Sequence, residues 1–162
     1  VQTRLRKLDE NQYAAIILAA AGLKRLGLSD RITALLSPEQ SLPAVGQGAL
    51  GIECRADRTD LVTMMQPLHH PETAYCVEAE RAMSRILGGS CQVPLGAFAE
   101  IIDDTLQLRG FVSQPDGTRI VNAALSGNPE AGIKMGEKLA HQLIQQGADE
   151  ILASLVHAEG WK

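Results

Sequence analysis

Aromatic residues, basic charge and long apolar runs are all scarce in this sequence. Only 3% of its 162 residues are aromatic and its net charge is -4 at pH 7, so neither base stacking nor a basic field indicates a nucleic-acid partner. No apolar run reaches the length of about 18 residues that a membrane-spanning helix needs. No basic segment followed by a short apolar one forms an export signal. We therefore expect a cytoplasmic protein with no nucleic-acid or membrane partner.

Cysteine and histidine lack the spacing of a metal site. The cysteines Cys54, Cys76 and Cys91 are odd in number and form no CxxC pair, whereas structural zinc needs closely spaced ligands. The adjacent His69 and His70 lie near a predicted helix start, where neighbouring side chains do not converge on one ion. We expect reduced thiols and no metal.

What remains is the composition of a folded protein, with 45% hydrophobic and 21% charged residues. The chain begins at Val1 rather than Met and enters directly on residues 3–9, whose spacing predicts a short basic helix. A complete domain seldom begins so abruptly, so we expect a fragment or a processed chain.

The next segment predicts an α/β unit. The apolar run over residues 13–20 is typical of a strand buried on both faces of a mainly parallel sheet. The small residues of 21–27 predict a tight turn and a short helix, with Arg25 just beyond the carboxyl end of the strand, where ligands of such folds bind. Its guanidinium could hold a carboxylate through two parallel hydrogen bonds or form an ordinary surface ion pair, and the spacing leaves both open.

A glycine turn lies between two further predicted elements, a helix over residues 30–36 and a strand over residues 49–55. The turn, Gly46-Gln47-Gly48, is too short and wrongly spaced for a phosphate-binding loop or a dinucleotide fingerprint. Its glycines could let the backbone approach a ligand closely, with Gln47 as a neutral hydrogen-bonding group, or the turn could be an ordinary one.

The rest of the chain, residues 71–162, predicts a compact α+β domain. Its signals in order are a helix over 72–87, strands over 96–102, 106–113 and 118–125, a helix capped by Asn128 with Pro129 at its first position, and a last helix over 149–156. Because Asp103-Asp104 and Pro115-Asp116-Gly117 are hairpin-type turns, we expect an antiparallel meander with helices on one face.

The double glycine after residues 72–87 places Cys91 on a short loop between helix and sheet. Gly88 and Gly89 tolerate the left-handed turn that ends a helix. A loop thiol is a candidate nucleophile, and the alternative is a small, half-buried apolar residue. A redox-sensing thiol is a weaker alternative, because no histidine or second cysteine lies nearby in sequence.

Four ordered motifs resemble the C-terminal half of the hydroxymethylbilane synthase family, also called porphobilinogen deaminase. They are Thr3-Arg4-Leu5-x-Lys7-Leu8, Ala15-Ile16-Ile17-Leu18-Ala19-x-Ala21-Gly22-Leu23, Leu42-Pro43-Ala44-Val45-Gly46-Gln47-Gly48-Ala49 and Gly89-x-Cys91-Gln92-Val93-Pro94. The resemblance covers essentially the whole chain.

The resemblance implies two types of domain, an α/β domain followed by an α+β domain. Residues 1–48 would be the C-terminal part of a second, cleft-forming domain with a periplasmic-binding-protein-like fold. Residues 49–68 would return to a mostly missing first domain and form the hinge. Residues 69–162 would be a C-terminal, cofactor-anchoring domain with a three-stranded antiparallel sheet covered by helices.

The resemblance also implies a transferase of haem biosynthesis that condenses four porphobilinogen molecules head to tail into hydroxymethylbilane and releases ammonia. Its dipyrromethane cofactor would be bound through a thioether to Cys91, since a thiolate adds readily to the electrophilic carbon left when porphobilinogen loses ammonia. Arg4 and Arg25 match two arginines that bind the carboxylates of the pyrrole chain, and Gln47 and Gly48 match a segment of the cleft.

The family's essential aspartate would fall in the missing part, so no catalytic residue is assigned here and the isolated chain is expected to be inactive. The expected partners are porphobilinogen, the pyrrole-chain carboxylates and the missing N-terminal half of the same protein, and the full-length protein is expected to be a monomer. The alternative is a non-catalytic module that binds a small polycarboxylate through Arg4, Arg25 and Gln47.

Overall fold

A computed structural model describes residues 1–89 and 93–158. The chain divides into two compact units, an N-terminal unit of residues 1–40 and a C-terminal unit of residues 41–162. Among the described residues, every helix is too short or too polar to span a bilayer.

The N-terminal unit contains two short helices, α1 (Gln2–Asp9) and α2 (Ala20–Arg25), and a single 3-10 turn (Ser29–Arg31). The predicted helix over residues 3–9 is confirmed. Each helix buries one leucine, Leu5 in α1 and Leu23 in α2. Their apolar faces are therefore narrow, and most of this unit is exposed.

The strand predicted over residues 13–20 is wrong for this chain. Residues 15–19 have no regular secondary structure, α2 begins at Ala20, and Ile17 is 74% exposed. A strand needs a neighbour to pair its N–H and C=O groups, and residues 1–40 contain no second strand. An apolar run of this kind specifies a strand only where a pairing partner is present.

The helix predicted over residues 30–36 is also wrong. Within this segment the helical residues end at Arg31, in the 3-10 turn Ser29–Arg31. Leu35 and Leu36 are 62% and 51% exposed. So short a segment is a marginal helix by itself, and here no core contact compensates for the cost of nucleating it.

The C-terminal unit has a helix α3 (Thr59–Met65) and then the predicted α+β domain. The predicted strand over 49–55 is wrong, since no strand forms there and Leu50 is 98% exposed. The elements that follow are α4 (Pro71–Ile86), β1 (Leu95–Ile102), β2 (Thr105–Ser113), β3 (Ile120–Gly127), α5 (Gly132–Gln145) and α6 (Ala148–Ala158).

The three strands form one antiparallel sheet in the order β1-β2-β3, as predicted. Asp103 and Asp104 join β1 to β2 with φ values of 47° and 57°, the left-handed pair of a two-residue hairpin turn. Asp tolerates this region better than most residues. The turn sets the register in which Ala99 lies opposite Leu108. Because the described residues before Leu95 form no strand, the periplasmic-binding-protein-like arrangement stays a prediction.

Helices α4 and α5 cover one face of this sheet, and the core lies between the two layers. Its fully buried large side chains are Met83, Leu106, Leu108, Leu139, Leu143, Ile151 and Val112. The two helices approach closely because α5 has glycines one turn apart, Gly132 and Gly136, on the side that faces α4. A Cβ on Gly136 would lie 2.1 Å from the carbonyl oxygen of Ala79 in α4. This packed layer is the frame that carries the candidate site.

Candidate functional site

The Gly46-Gln47-Gly48 turn is built on left-handed glycines. Gly46 and Gly48 have φ values of 70° and 89°, which side chains on L residues disfavour. Within the turn, the N–H of Gln47 donates to Ala44 at 3.0 Å and the N–H of Ala49 donates to Gly46 at 3.2 Å. The result is a compact turn whose Gln47 and Gly48 are exposed.

The segment before the turn is attached to the C-terminal core at several points. The carbonyl oxygen of Pro43 accepts from the N–H of Ala97 in β1 at 3.2 Å, and Val45 packs against the core cluster. Gly96 has to be glycine here, because a Cβ would lie 2.8 Å from the Pro43 oxygen and 2.4 Å from the ring of Phe111.

A buried carboxylate makes the third attachment. Glu80 of α4 is only 6% exposed, and its Oε2 accepts from the N–H of Gly46 at 2.6 Å. Its Oε1 accepts from the N–H of Ala99 in β1 at 2.8 Å. Burial raises the pKa of Glu80, while the two backbone N–H groups act in the opposite direction. Both carboxylate oxygens are therefore used to join a turn, a helix and a strand.

The turn, α4 and β1 enclose a cleft of about 410 Å³. Gln47 and Gly48 line one side, and Cys76, Glu80 and Phe98 line the others. Among the described residues that line it, none is Lys or Arg, so this lining offers a carboxylate no guanidinium or ammonium group.

Cys76 is the wrong kind of thiol for a covalent anchor. Burial, followed by the charges of Glu80, Glu72 and Glu100, raises its pKa. The thiolate is the nucleophile, so a thiol that holds its proton more tightly is less reactive at neutral pH.

The two predicted arginines lie in the N-terminal unit. Arg4 is on α1 and Arg25 is the last residue of α2, and both are exposed. Neither guanidinium makes an ion pair or a side-chain hydrogen bond to another described residue. Arg6 differs, since it pairs with Glu10 at 3.9 Å on the same helix. Arg4 and Arg25 thus remain available to an anionic ligand.

Cys91 lies outside the described residues. On the helix side of it, α4 ends at Ile86 and Gly88 turns with a φ of 66°, as the double glycine predicts. On the sheet side, β1 begins at Leu95. The structure groups Arg4 with Arg25 in one unit and Gln47 with Gly48 in the other.

His70 makes a hydrogen bond at the start of α4. Its ring Nδ1 accepts from the N–H of Thr73 and so caps the N-terminus of α4, next to Pro71 in the first turn. Within the described residues, no group of three or more His, Cys, Asp or Glu side chains could hold a metal ion.

Glu80 is a site residue that the sequence pattern does not predict. Helical periodicity over residues 72–87 places it with Glu78, Arg81 and Arg85, off the apolar stripe and expected to be solvated, and for Glu80 this expectation is wrong. The available signal is its position: Glu80 is one turn after Cys76 and one turn before Met83, and so lies along the edge of the apolar stripe. A charged residue at such a position is buried only if it finds partners, and the partners here come from residues far away in sequence.

Comparison with known proteins gives two consecutive matches to one family. Residues 1–63 match the family model described as "Porphobilinogen deaminase, dipyromethane cofactor binding domain", and residues 74–145 match "Porphobilinogen deaminase, C-terminal domain". The first match includes Arg4, Arg25, Gln47 and Gly48, and the second includes Cys91.

Full-length relatives point the same way. The chain is 68% identical over 155 residues to a porphobilinogen deaminase of Nitrosomonas europaea, an alignment that covers 96% of this chain and 50% of the relative. It is 61% identical over 157 residues to one of Methylobacillus flagellatus, covering 97% and 51%. The chain therefore spans about half the length of the curated relatives it matches.

The two family models follow each other along the chain in the same order as its predicted motifs, and together they cover most of it. With relatives of this identity across nearly its whole length, the chain belongs to the porphobilinogen deaminase family.

Proposed function

We propose that this chain is the cofactor-carrying part of a transferase that condenses four porphobilinogen molecules head to tail into hydroxymethylbilane and releases ammonia. The observation that carries the proposal is the pair of consecutive family matches, the first of which is described as a cofactor-binding domain. Because the chain spans about half of its relatives, the activity is assigned to the full-length protein.

The side chains available here fit a dipyrromethane group. Each pyrrole of such a group has an acetate and a propionate side chain, and Arg4 and Arg25 offer exposed guanidinium groups with no ion pair to other described residues. A guanidinium can hold a carboxylate through two parallel hydrogen bonds. Cys91 would hold the group covalently through a thioether at Sγ. When bound, the cofactor supplies the pyrrole carbon from which the product chain grows.

The chain's own residues would then bind, orient and retain the growing product. Arg4 and Arg25 would hold carboxylates, and the exposed Gln47 and Gly48 would add neutral hydrogen bonds from a turn that is fixed at its base. The covalent link at Cys91 would keep the product from diffusing away between condensations. Each step then proceeds at a high effective concentration.

The proposal includes the N-terminal half of the same protein as a partner. The apolar residues Ile17, Leu50 and Ile52 are 74%, 98% and 61% exposed, which supports strand pairing of residues 13–20 and 49–55 with segments outside this sequence. Residues 1–48 would then complete a periplasmic-binding-protein-like cleft domain, 49–68 would return to the first domain, and 69–162 would carry the cofactor. The full-length protein would act as a monomer.

The proposal is tested on the full-length protein by intact mass and by ammonia release from porphobilinogen. We expect a covalent adduct that maps to Cys91, and Cys91→Ser should lose both the adduct and turnover. Cys76→Ser is the matched control and should keep both, because that thiol is half-buried and poorly ionised.

Turnover by a Cys91→Ser protein that carries no adduct would refute the proposal. Saturable binding of a non-pyrrole polycarboxylate without any turnover of porphobilinogen would instead favour the non-catalytic binding module.

A further inference from the structure

We propose that Glu80 is the positioning residue of the Gly46-Gln47-Gly48 turn. Its carboxylate joins the base of the turn to α4 and to the edge of β1 that does not pair with β2, and so determines the positions of Gln47 and Gly48. The inference rests on the proposed function, in which Gln47 and Gly48 face the pyrrole chain.

The geometry that carries the inference is a pair of hydrogen bonds from one side chain. Oε2 of Glu80 accepts from Gly46, 34 residues away, and Oε1 accepts from Ala99, 19 residues away. Both donors are backbone N–H groups, so the contact depends on the path of the chain rather than on the side chains it carries. Glu80 as a residue is 6% exposed, and water does not readily compete for these bonds.

The contact needs two acceptor oxygens at the end of a side chain. A glutamine has one oxygen and one NH₂ group, so it would satisfy one N–H and point a donor at the other. A buried N–H left without an acceptor loses its hydration and gains nothing in return. An aspartate would have the right chemistry but is one methylene shorter. The turn therefore depends on the carboxylate of Glu80 specifically.

Other attachments keep the segment in place when this contact is lost. The Pro43 oxygen would still accept from Ala97, and Val45 would still pack on the core. Gly46 and Gly48, however, would have no side chain to restrict their left-handed conformations. Loss of the carboxylate should therefore disorient the exposed tip of the turn without unfolding the domain, which is the signature of a positioning role.

The test compares Glu80→Gln with Glu78→Gln in the full-length protein. Glu78 is an exposed residue on the same helix, so its variant makes the same change of charge and leaves the Glu80 hydrogen bond to the turn in place. For Glu80→Gln we expect the Cys91 adduct and the far-UV spectrum to be retained, with KM for porphobilinogen raised about tenfold and kcat changed less than about threefold. Glu78→Gln should match the wild type.

A purely structural role would reduce the amount of folded enzyme, lowering the apparent kcat and leaving KM unchanged. That result, or wild-type kinetics in Glu80→Gln, would overturn the inference.

A second measurement works on the wild-type protein even if the variant does not fold. Amide exchange followed by NMR should show the Gly46 N–H protected at least about tenfold more than the Gly48 N–H of the same turn. Equal rates for the two amides would overturn the inference. Because the amide measurement needs no turnover, its failure is distinguishable from failure of the proposed function, which would appear as a wild-type protein with neither adduct nor turnover.

Discussion

At the scale of single residues, burial decides how the acidic side chains of this chain behave. Asp116 is exposed and accepts hydrogen bonds from the N–H and the hydroxyl of Thr118, which hold the pKa of its carboxyl below the usual value. Glu80 accepts two backbone N–H bonds as well, yet its pKa is raised because loss of hydration outweighs them.

The raised pKa of Glu80 predicts how stability depends on pH. The folded chain keeps this proton at pH values where the unfolded chain releases it, so the ionised carboxylate is a growing cost as the pH rises. The unfolding free energy of the wild type relative to Glu80→Gln should therefore be greatest below the ordinary pKa of a glutamate. This difference in unfolding free energy should fall as the pH rises through the folded-state pKa of Glu80, and it should stay level at higher pH.

This dependence is measurable by urea unfolding of both proteins over a pH series. His70 and Glu72 also border the cleft and are unchanged in the variant. The charge of Glu80 contributes to the raised pKa of Cys76, so the series stays at acid to neutral pH, below the range in which that thiol loses its proton. Glu78→Gln should give a difference from the wild type that is flat over the same range. A difference for Glu80→Gln that increases with pH would contradict the prediction.

At the scale of elements, the spacing between α4 and α5 depends on a glycine pair. Gly132 and Gly136 are one turn apart on α5 and face α4. A Cβ added to Gly132 would lie 3.1 Å from the carbonyl oxygen of Tyr75, and one added to Gly136 would lie 2.1 Å from that of Ala79. Backbone atoms of a packed helix cannot move aside as a flexible side chain can. The helix pair therefore has no room for a methyl group at Gly136.

We predict that Gly136→Ala destabilises the C-terminal unit by about 2 kcal/mol, since overpacking against backbone should cost about 3 kcal/mol, the upper end of the usual range of about 1–3 kcal/mol. The higher helix propensity of Ala offsets only about 1 kcal/mol of that. Lys138→Ala, on the exposed face of the same helix, should change stability by less than about 0.5 kcal/mol. Urea unfolding measures both, and equal midpoints for the two variants would contradict the prediction.

At the scale of the whole molecule, the two units differ in how much they bury. All the large side chains that are fully buried lie between Met83 and Ile151 among the described residues. Residues 1–40 contribute two buried leucines, and the backbone of residues 15–19 and 49–55 has no ladder of hydrogen bonds. Stability should therefore be concentrated in the layer of β2, α4 and α5.

Hydrogen exchange of the 162-residue chain should show this difference directly. Amides in β2, α4 and α5 should exchange at least about a thousandfold more slowly than those of residues 15–19 and 49–55, because their opening requires global unfolding. In the full-length protein, the same two segments should become protected if they pair with its N-terminal half. Strong protection of these segments in the isolated chain would contradict the prediction.

Much of the C-terminal domain follows from local sequence signals. The meander follows from three strand-like segments separated by turn residues such as Asp103-Asp104. The helical turn that leads into α5 follows from Asn128, whose side chain accepts from the N–H of Glu130. Such signals act between residues that are near neighbours, so they hold wherever the chain is placed. The four ordered motifs likewise indicate the family from residue identity and order alone, because they require no contact between distant segments.

Only the tertiary structure determines which residues that are distant in sequence contact one another. The sequence pattern of residues 13–20 is that of a strand, but whether a strand forms depends on a partner that residues 1–40 do not contain. Helical periodicity places Glu80 at the edge of an apolar stripe without indicating that Gly46 and Ala99 donate to it. A local pattern specifies what a segment can become, whereas pairing and burial depend on which other segments reach it when the chain folds.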